Sequence, residues 1–198
     1  MSYIAKTAFE ARITNNEFNE LCNITGRYQA SSADADCSAG LLCVRGEQLP
    51  CAGFTGIKNE DAWYMNAAGA AANADTPVYA ANTYEVQHLS GKNGQLYAIG
   101  TETLGLGIPA GRDGTFTKIV FDDDHVYRFG EGNLSTAIGT NTFFTIANGL
   151  LVPAAAAPTA AGSIYFELRG SGKFTEGTTA SFGYYDLVAC KVSVAAGG

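Results

Sequence analysis

Residues 105–134, GLGIPAGRDGTFTKIVFDDDHVYRFGEGNL, set the first expectation about the fold, because they show the two-residue alternation of β-strands. Residues 115, 117, 119 and 121 alternate with residues 116, 118 and 120 at the two-residue period of a strand, three aspartates interrupt the run, and residues 126–129 return to it. Glycines stand near both ends of the two segments. The stretch therefore predicts a half-buried β-hairpin over residues 114–130, and it contains no arrangement of residues typical of catalysis.

Short strand patterns recur along the rest of the chain, separated by residues that favour turns. They cover residues 40–44, 62–66, 78–89, 95–100, 142–147, 150–152, 164–169 and 182–194. Asn148-Gly149, between two of these segments, predicts a tight hairpin turn. In the last segment, alternate positions place apolar side chains on one face, and Asp186 is the exception on that face. The 24 glycines, spread without a period, agree with a turn-rich fold.

One helix is predicted near the N-terminus. Thr14 and Glu17 have the spacing of a capping box, and apolar residues then recur at helical spacing, which predicts a short helix over residues 15–25. A chain of 198 residues has the length of one domain. We therefore expect a mainly β fold, an antiparallel sandwich or barrel-like domain with one short N-terminal helix. Within this single domain, residues 1–61 form an N-terminal arm, the helix and a cysteine-containing segment, and residues 62–198 form the main β domain.

Charge argues against several classes of partner. The formal net charge is −7, so the long-range field repels phosphate backbones and anionic membranes. Charged residues make up only 16% of the chain, against roughly 25% in an average globular protein, so much of the surface must be neutral. We therefore expect a protein partner rather than nucleic acid or a membrane. No leader or membrane-spanning apolar run is recognisable, which predicts a soluble product made in the cytoplasm.

The cysteines form no recognisable metal or disulfide pattern. Cys22, Cys37, Cys43, Cys51 and Cys190 are an odd number, which favours reduced thiols over a disulfide framework. Their spacings are wider than the gaps of roughly two to four residues found in structural zinc sites. We therefore expect buried thiols rather than a zinc site.

Other residues with reactive side chains are isolated. His88 and His125 have no neighbouring base or ligand pattern, and the consecutive aspartates at residues 122–124 cannot imitate the alternating ligands of an EF-hand loop. The sequence lacks the motifs of nucleotide-binding loops, serine hydrolases and zinc peptidases. We therefore predict no catalytic residues, no cofactor-binding residues, no metal ligands and no cofactor, and expect that the protein is not an enzyme.

Several blocks of the sequence resemble a family of virion structural proteins of tailed phages and prophages in Gram-positive bacteria, which are encoded beside the major capsid protein. The blocks are residues 1–9 (MSYIAKTAF), 42–51 (LCVRGEQLPC), 63–67 (WYMNA), 114–130 and 141–146 (NTFFTI). The resemblance covers nearly the whole chain, and its motifs are structural blocks without catalytic meaning. It implies a head accessory protein, namely a capsid decoration protein that binds the outside of the assembled capsid.

The resemblance also implies a partner and a location. The protein would be made in the bacterial host cytoplasm, bind the major capsid protein and remain on the capsid surface of the virion. Decoration proteins often form trimers, so a homotrimer is the favoured homo-oligomer. Residues 1–13 and the connector 153–162, rich in Ala and bounded by Pro, are expected to contact other subunits or the shell.

Two alternatives to a decoration protein remain. One is another virion component, such as a head fibre base or a tail protein. The other is a carbohydrate-binding β-sandwich module, because Trp63, Tyr64 and other aromatic side chains could stack on sugars. Most aromatic residues of this chain fall within strand patterns, where they are more simply explained as core.

Overall fold

The computed structural model describes residues 7, 9–13, 23–51, 53, 55–70, 72, 75–82, 89–90, 96–97, 107–121, 125–176 and 180–193. The strands of these residues are β1 (Phe9–Ile13), β2 (Asn23–Ala30), β3 (Ala33–Asp34), β4 (Leu42–Pro50), β5 (Lys58–Ala67), β6 (Val78–Ala81), β7 (Leu89–Ser90), β8 (Leu96–Tyr97), β9 (Gly114–Lys118), β10 (His125–Gly130), β11 (Phe143–Ala147), β12 (Leu150–Ala154), β13 (Ile164–Glu176) and β14 (Ala180–Lys191). A short 3-10 helix covers Glu131–Asn133. The expectation of a mainly β fold is therefore confirmed.

Six strands form an antiparallel sheet in the order β1-β10-β14-β13-β11-β12. β13 and β14 pair as a long hairpin, with a bulge between Leu168 and Gly170. Asn148 and Gly149 join β11 to β12, and their φ angles of 50° and 76° lie in the left-handed region. Two consecutive positive φ angles are typical of a type I′ turn, so the tight hairpin turn predicted here is confirmed.

Five of the other strands close into a small barrel. β2 pairs in parallel with β5, and the circuit continues through antiparallel pairs β5–β4, β4–β6, β6–β9 and β9–β2. β3 pairs with the end of β2. Gly26 and Gly114 lie directly opposite each other in this circuit. A Cβ at Gly26 would collide with Met65, and one at Gly114 would collide with Ile108, so the narrow interior depends on both glycines.

The six-stranded sheet and the barrel share a core, because alternate residues of the barrel strands face opposite sides. Val78 packs against the six-stranded sheet, whereas its neighbour Tyr79 lies inside the barrel. The shared core contains Phe9, Leu42, Ala68, Val78, Ala80, Ile119, Tyr127, Phe129, Phe144, Ile146, Leu151, Ile164, Phe166, Leu187 and Ala189. The barrel interior contains Cys37, Cys43, Met65, Tyr79, Ala81, Ile108 and Phe116. The architecture is therefore sandwich-like, and one of its two layers is a closed barrel.

The hairpin predicted over residues 114–130 is wrong, although both of its strands exist. β9 belongs to the barrel and pairs with β6 and β2, whereas β10 lies between β1 and β14 in the six-stranded sheet. The chain crosses between the layers after β9, where the Ile119 amide donates to the Val78 carbonyl and the Val120 amide donates to the Tyr127 hydroxyl. Alternation indicates a strand but does not identify its partner, and neighbouring strands in the sequence need not pair.

One of the N-terminal predictions, the helix, requires correction. Residues 14–22 lie outside the described part of the chain, but the predicted helix over 15–25 is wrong at its end, because residues 23–25 belong to β2. Their backbone pairs with β9, and this pairing closes the barrel. The boundary placed between residues 61 and 62 falls inside β5, so the barrel takes strands from both sides of it. Residues 9–13 of the predicted arm form β1, which pairs with β10 of the same chain.

Most other predicted strands coincide with strands of the structure. Residues 62–66 lie within β5, and residues 164–169 lie within β13. The prediction over residues 78–89 is only partly covered, because β6 ends at residue 81 and residues 83–88 lie outside the described part. In the connector 153–162, the first two residues complete β12, and residues 155, 156 and 159–161 are exposed.

Candidate functional site at the barrel mouth

In the described part of the chain, the residues that the sequence raised as possible ligands do not meet in one place. Cys37 and Cys43 are buried inside the barrel, whereas Cys51 follows β4 and Cys190 lies in the six-stranded sheet. Cys22, His88 and the aspartates at 122–124 lie outside the described residues. His125 stacks on Tyr127 at a ring distance of 6.4 Å. Among the described residues, no three His, Cys, Asp or Glu side chains are grouped so that they could hold a metal ion.

A different group of side chains meets at one end of the barrel, which we call the barrel mouth: Arg45, Trp63 and Tyr79. The Arg45 guanidinium lies 5.2 Å from the Trp63 ring centre and 5.7 Å from the Tyr79 ring centre. Tyr79 is buried, Trp63 is half-buried and Arg45 is exposed. Cation–π attraction therefore holds the charge over two rings while its outer side remains open to solvent.

The strand register explains why these side chains converge. Cys43 and Arg45 are two residues apart on β4, so both face the barrel interior, and Arg45 lies opposite Met65 of β5. Trp63 precedes Met65 by two residues and shares its face. After Arg45 the β4–β5 register shifts, which is typical of a bulge. The bulge ends regular pairing at the point where Arg45 reaches the mouth.

A second cation lies at the same end of the barrel. Lys118, the last residue of β9, lies directly opposite Tyr79 of β6. Residues directly opposite in an antiparallel pair share a face of the sheet. Two basic residues and two aromatic rings thus lie at this end of the barrel, in a protein whose net charge is −7.

Arg45 differs from Arg27, the other arginine of the barrel strands, in having no carboxylate partner among the described residues. Arg27 donates to Asp113 at 2.8 Å and lies 3.9 Å from Asp34. The hydrogen bond to Asp113 raises the pKa of Arg27, while burial acts in the opposite direction. Among the described residues, the Arg45 guanidinium contacts the Trp63 and Tyr79 rings. Its planar fork of N–H donors is therefore free to bind an external carboxylate in a bidentate manner.

The six-stranded sheet contains an arginine that, unlike Arg45, has a carboxylate partner in the same chain. Arg128 donates from Nε and Nη2 to the two Asp186 carboxylate oxygens at 2.7 and 2.8 Å. Its guanidinium carbon lies 3.7 Å from the centre of the Tyr184 ring. Asp186, the polar exception noted in the sequence, is thus explained by a cross-strand ion pair between β10 and β14. This arrangement is complete without a ligand.

The cavity found near the connector does not resemble a substrate site. It has a volume of about 90 Å³ and is lined by Ala70, Ala72, Thr145, Ile146, Pro158, Ser163 and Ile164. Pockets for drug-sized ligands measure roughly 300–1,000 Å³. None of the lining side chains ionises near neutral pH. The barrel mouth is therefore the better candidate for a functional site, because an exposed guanidinium can bind an anionic group.

Comparisons of this chain with protein-family models, with curated proteins and with solved structures return no match. In the described part of the chain, no helix has the length and apolar character needed to cross a membrane. The fold and the barrel mouth are therefore the observations on which a functional proposal can rest.

Sequence reasoning missed the role of Arg45. The residue lies within the block 42–51, which the sequence offered only as a structural motif. Trp63 was noted as a candidate sugar-stacking residue, but nothing in the sequence placed it beside Arg45 or Tyr79. The barrel closure brings the three strands together, and the parallel β2–β5 pair on which that closure depends has no local sequence signal.

Proposed function

We propose that this protein is a non-enzymatic virion structural protein of a tailed phage, a capsid decoration protein that binds the outer surface of the assembled capsid. The resemblance of its sequence blocks supplies the class of partner, the major capsid protein. The observation that carries the proposal is the barrel mouth, where Arg45 is held over Trp63 and Tyr79 without a carboxylate partner among the described residues. Arg, Trp and Tyr are the residues most enriched at the energetic centres of protein interfaces.

The chemistry of Arg45 indicates what the partner presents. A guanidinium with an open outer side binds a carboxylate best, so we expect an Asp or Glu of the capsid surface to occupy the mouth. The two rings already fix the orientation of the guanidinium, which lowers the entropy cost of binding. Lys118 would add long-range attraction to the same acidic group.

The overall charge of the protein supports the same proposal. With a net charge of −7 and only 16% charged residues, the surface repels packaged DNA and is largely neutral. A symmetric trimer would present three barrel mouths to a symmetric shell. Several weak, identical contacts then give strong attachment without any single tight site.

A carbohydrate-binding function is the second candidate, because the barrel mouth contains two aromatic rings. Sugars stack on ring faces that are open to solvent. Here Arg45 covers Trp63 and Tyr79, and Tyr79 is only 3% exposed. This geometry favours an anionic partner group over a neutral sugar. Binding to a glycan array, undiminished in the Arg45→Ala variant, would support the second candidate instead.

The first test measures the copy number of the protein in purified virions of the phage that encodes it. Quantitative mass spectrometry gives the ratio to the major capsid protein. A ratio near one, or a simple fraction of one, is expected for decoration. Tens of copies per particle would indicate a fibre or tail component, and absence from the particles would overturn the virion proposal.

The second test asks whether the barrel mouth makes the contact. Capsids lacking this protein are mixed with wild-type protein, with Arg45→Ala or with Arg112→Ala, and the bound fraction is measured by sedimentation. Arg112 is an exposed arginine before β9 with no aromatic ring against it in the described part of the chain, so it is a matched control. We expect affinity to fall at least about tenfold for Arg45→Ala and to remain unchanged for Arg112→Ala. Equal binding of all three proteins would remove the barrel mouth from the proposal.

A further inference from the structure

An exposed apolar side chain and a small apolar cavity lie at different places on this chain and match each other in size. The side chain is that of Ile57, the one large apolar residue exposed in the described part of the chain. The cavity is the one near the connector, which we call the connector cavity. We propose that Ile57 of one copy inserts into the connector cavity of a second copy. This inference does not depend on capsid binding, and it names a contact that a symmetric trimer could use.

Ile57 lies in the segment that joins β4 to β5, and its side chain is 54% exposed. Residues 55–61 around it are all exposed. Gly53 and Gly56 have φ angles of 84° and 79°, and the Cys51 amide donates to the Ile57 carbonyl at 2.8 Å. These contacts fix the turn that presents Ile57. Single exposed apolar side chains are common, and Ile57 is of interest because a matching cavity exists on the same chain.

The connector cavity has the size of one aliphatic side chain. Its volume is about 90 Å³, and five of its seven lining residues are apolar. An engineered cavity of roughly 150 Å³ holds benzene, which has six carbons, so this volume corresponds to about four carbons. An isoleucine side chain has four carbons beyond Cα. Ala70, which lines the cavity, is exposed, so the cavity reaches the surface.

Ile57 does not reach the connector cavity of its own chain. It immediately precedes β5, whereas Ala70 and Ala72 of the cavity follow that strand. Residues 62–67 of β5, which pair with β2 and β4, extend about 16 Å at the rise of a β-strand. This distance exceeds the length of an isoleucine side chain. An isoleucine that fills the cavity in this way must therefore come from another copy.

Charges beside the two surfaces are complementary. Glu60 and Asp61 follow Ile57 closely and are exposed, and neither has an ion-pair partner in the described part of the chain. Lys191 is exposed and lies directly opposite Ile164, which lines the connector cavity. Directly opposite residues share a face of the sheet, so this cation lies beside the cavity. Attraction between Lys191 and the two carboxylates would favour the orientation in which Ile57 enters the cavity.

The contact joins two different surfaces, so it is heterologous. Each copy offers one Ile57 and one connector cavity, and copies therefore associate head to tail. Such a chain of contacts becomes complete when it closes into a ring, because every side chain and every cavity is then occupied. We expect a closed ring of three copies.

The first experiment measures the mass of the full-length protein by light scattering over a range of concentrations, without capsids. Wild-type protein should have the mass of a trimer. Ile57→Ser should weaken association at least about tenfold, because it removes a buried apolar side chain from the contact, and Ile57→Leu should retain association. Ala72→Leu fills the cavity and should weaken association similarly, whereas Ala30→Leu adds the same side chain at an exposed position elsewhere and should not. Thermal unfolding confirms that each variant is folded.

The second experiment identifies the contact in wild-type protein. Isotope-labelled and unlabelled copies are mixed and treated with a carbodiimide, which joins carboxylates to amines in contact. We expect hybrid peptides that link Lys191 of one copy to Glu60 or Asp61 of another. The mass of a single copy at every concentration would overturn the proposal, as would association that Ile57→Ser leaves unchanged. If wild-type protein is monomeric and Ile57→Ser weakens capsid binding, Ile57 contacts the shell and the proposal is also overturned. Failure of capsid binding alone leaves the mass measurement unaffected.

Discussion

Among the described residues, two arginines lie on aromatic rings, one in each layer, and their ionic surroundings differ. Arg128 is 9% exposed, lies over Tyr184 and donates two hydrogen bonds to Asp186. Arg45 is exposed, lies over Trp63 and Tyr79, and has no carboxylate partner among the described residues. The same stacking chemistry thus serves the fold where the ion pair is complete. At the barrel mouth the stacked guanidinium keeps its donors for the carboxylate of the partner that we propose.

The largest expected effect comes from a substitution that breaks the ion pair between Arg128 and Asp186. Asp186→Ala removes the carboxylate that accepts two hydrogen bonds from the mostly buried Arg128 guanidinium, and breaking a buried ion pair by removing one partner is costly. We expect the free energy of unfolding to fall by about 3 kcal/mol, measured by urea denaturation. A loss below about 1 kcal/mol would mean that water solvates Arg128 readily, and the contrast between the two arginines would then weaken.

The next effect tests whether the two layers that hold these arginines are one cooperative unit. Gly149, at φ 76°, ends the turn between β11 and β12 and also binds the barrel layer. Its amide donates to Ala68 and its carbonyl accepts from Leu42. A Cβ at this position would collide with Leu41 and the Leu42 carbonyl. Gly149→Ala should therefore cost about 2–3 kcal/mol, combining left-handed backbone strain with a clash.

Gly139→Ala is the matched control for this change. Gly139 also has a positive φ, of 58°, but a Cβ there would meet no atom within 4 Å. Only the backbone cost of about 1 kcal/mol is expected. Both variants should unfold in a single transition when fluorescence and circular dichroism are compared. Two separate transitions in Gly149→Ala would show that the barrel and the six-stranded sheet unfold independently.

Local sequence signals predicted the strands well and their pairing poorly. The Asn148-Gly149 turn was predictable, because its type requires residues that tolerate positive φ angles. The pairing within residues 114–130 was not predictable, because alternation shows which residues lie on each face of a strand but does not identify the strands that pair with it. Residues 23–25 had helical spacing in the sequence, yet the open edge of β9 recruits them into the barrel. Tertiary pairing overrides local preference at such positions.

Because local signals do not predict strand pairing, the sequence also could not predict which side chains meet at the candidate site. Asp186 was recognisable as an acid on an apolar strand face, and such an acid needs a partner. Its partner, Arg128, is 58 residues away and is defined only by the register of β10 and β14. Arg45 carried no signal of this kind, because an exposed arginine in a strand is ordinary. Its two rings come from strands β5 and β6, which only the barrel closure brings to β4.

The third prediction concerns pH and separates the barrel interior from the ion pair of the sheet. Burial raises the pKa of Cys43 in the folded protein, so the unfolded thiol ionises first as the pH rises. Stability from this group is complete below the ordinary thiol pKa of 9.0 and is lost above it. Between pH 9 and pH 10, we expect wild-type protein to lose about 1 kcal/mol more stability than Cys43→Ala. Parallel pH curves for the two proteins would contradict this assignment.

The smallest effect on stability is expected where the effect on binding is largest. Arg45→Ala removes two cation–π contacts at an exposed position, so the free energy of unfolding should change by less than about 1 kcal/mol. Urea denaturation beside Asp186→Ala measures the difference directly. If Arg45→Ala were as destabilising as Asp186→Ala, its guanidinium would be part of the fold and would not be available to a partner. A small change in stability, combined with a large loss of capsid binding, is the result expected of a charge whose counter-ion belongs to another protein.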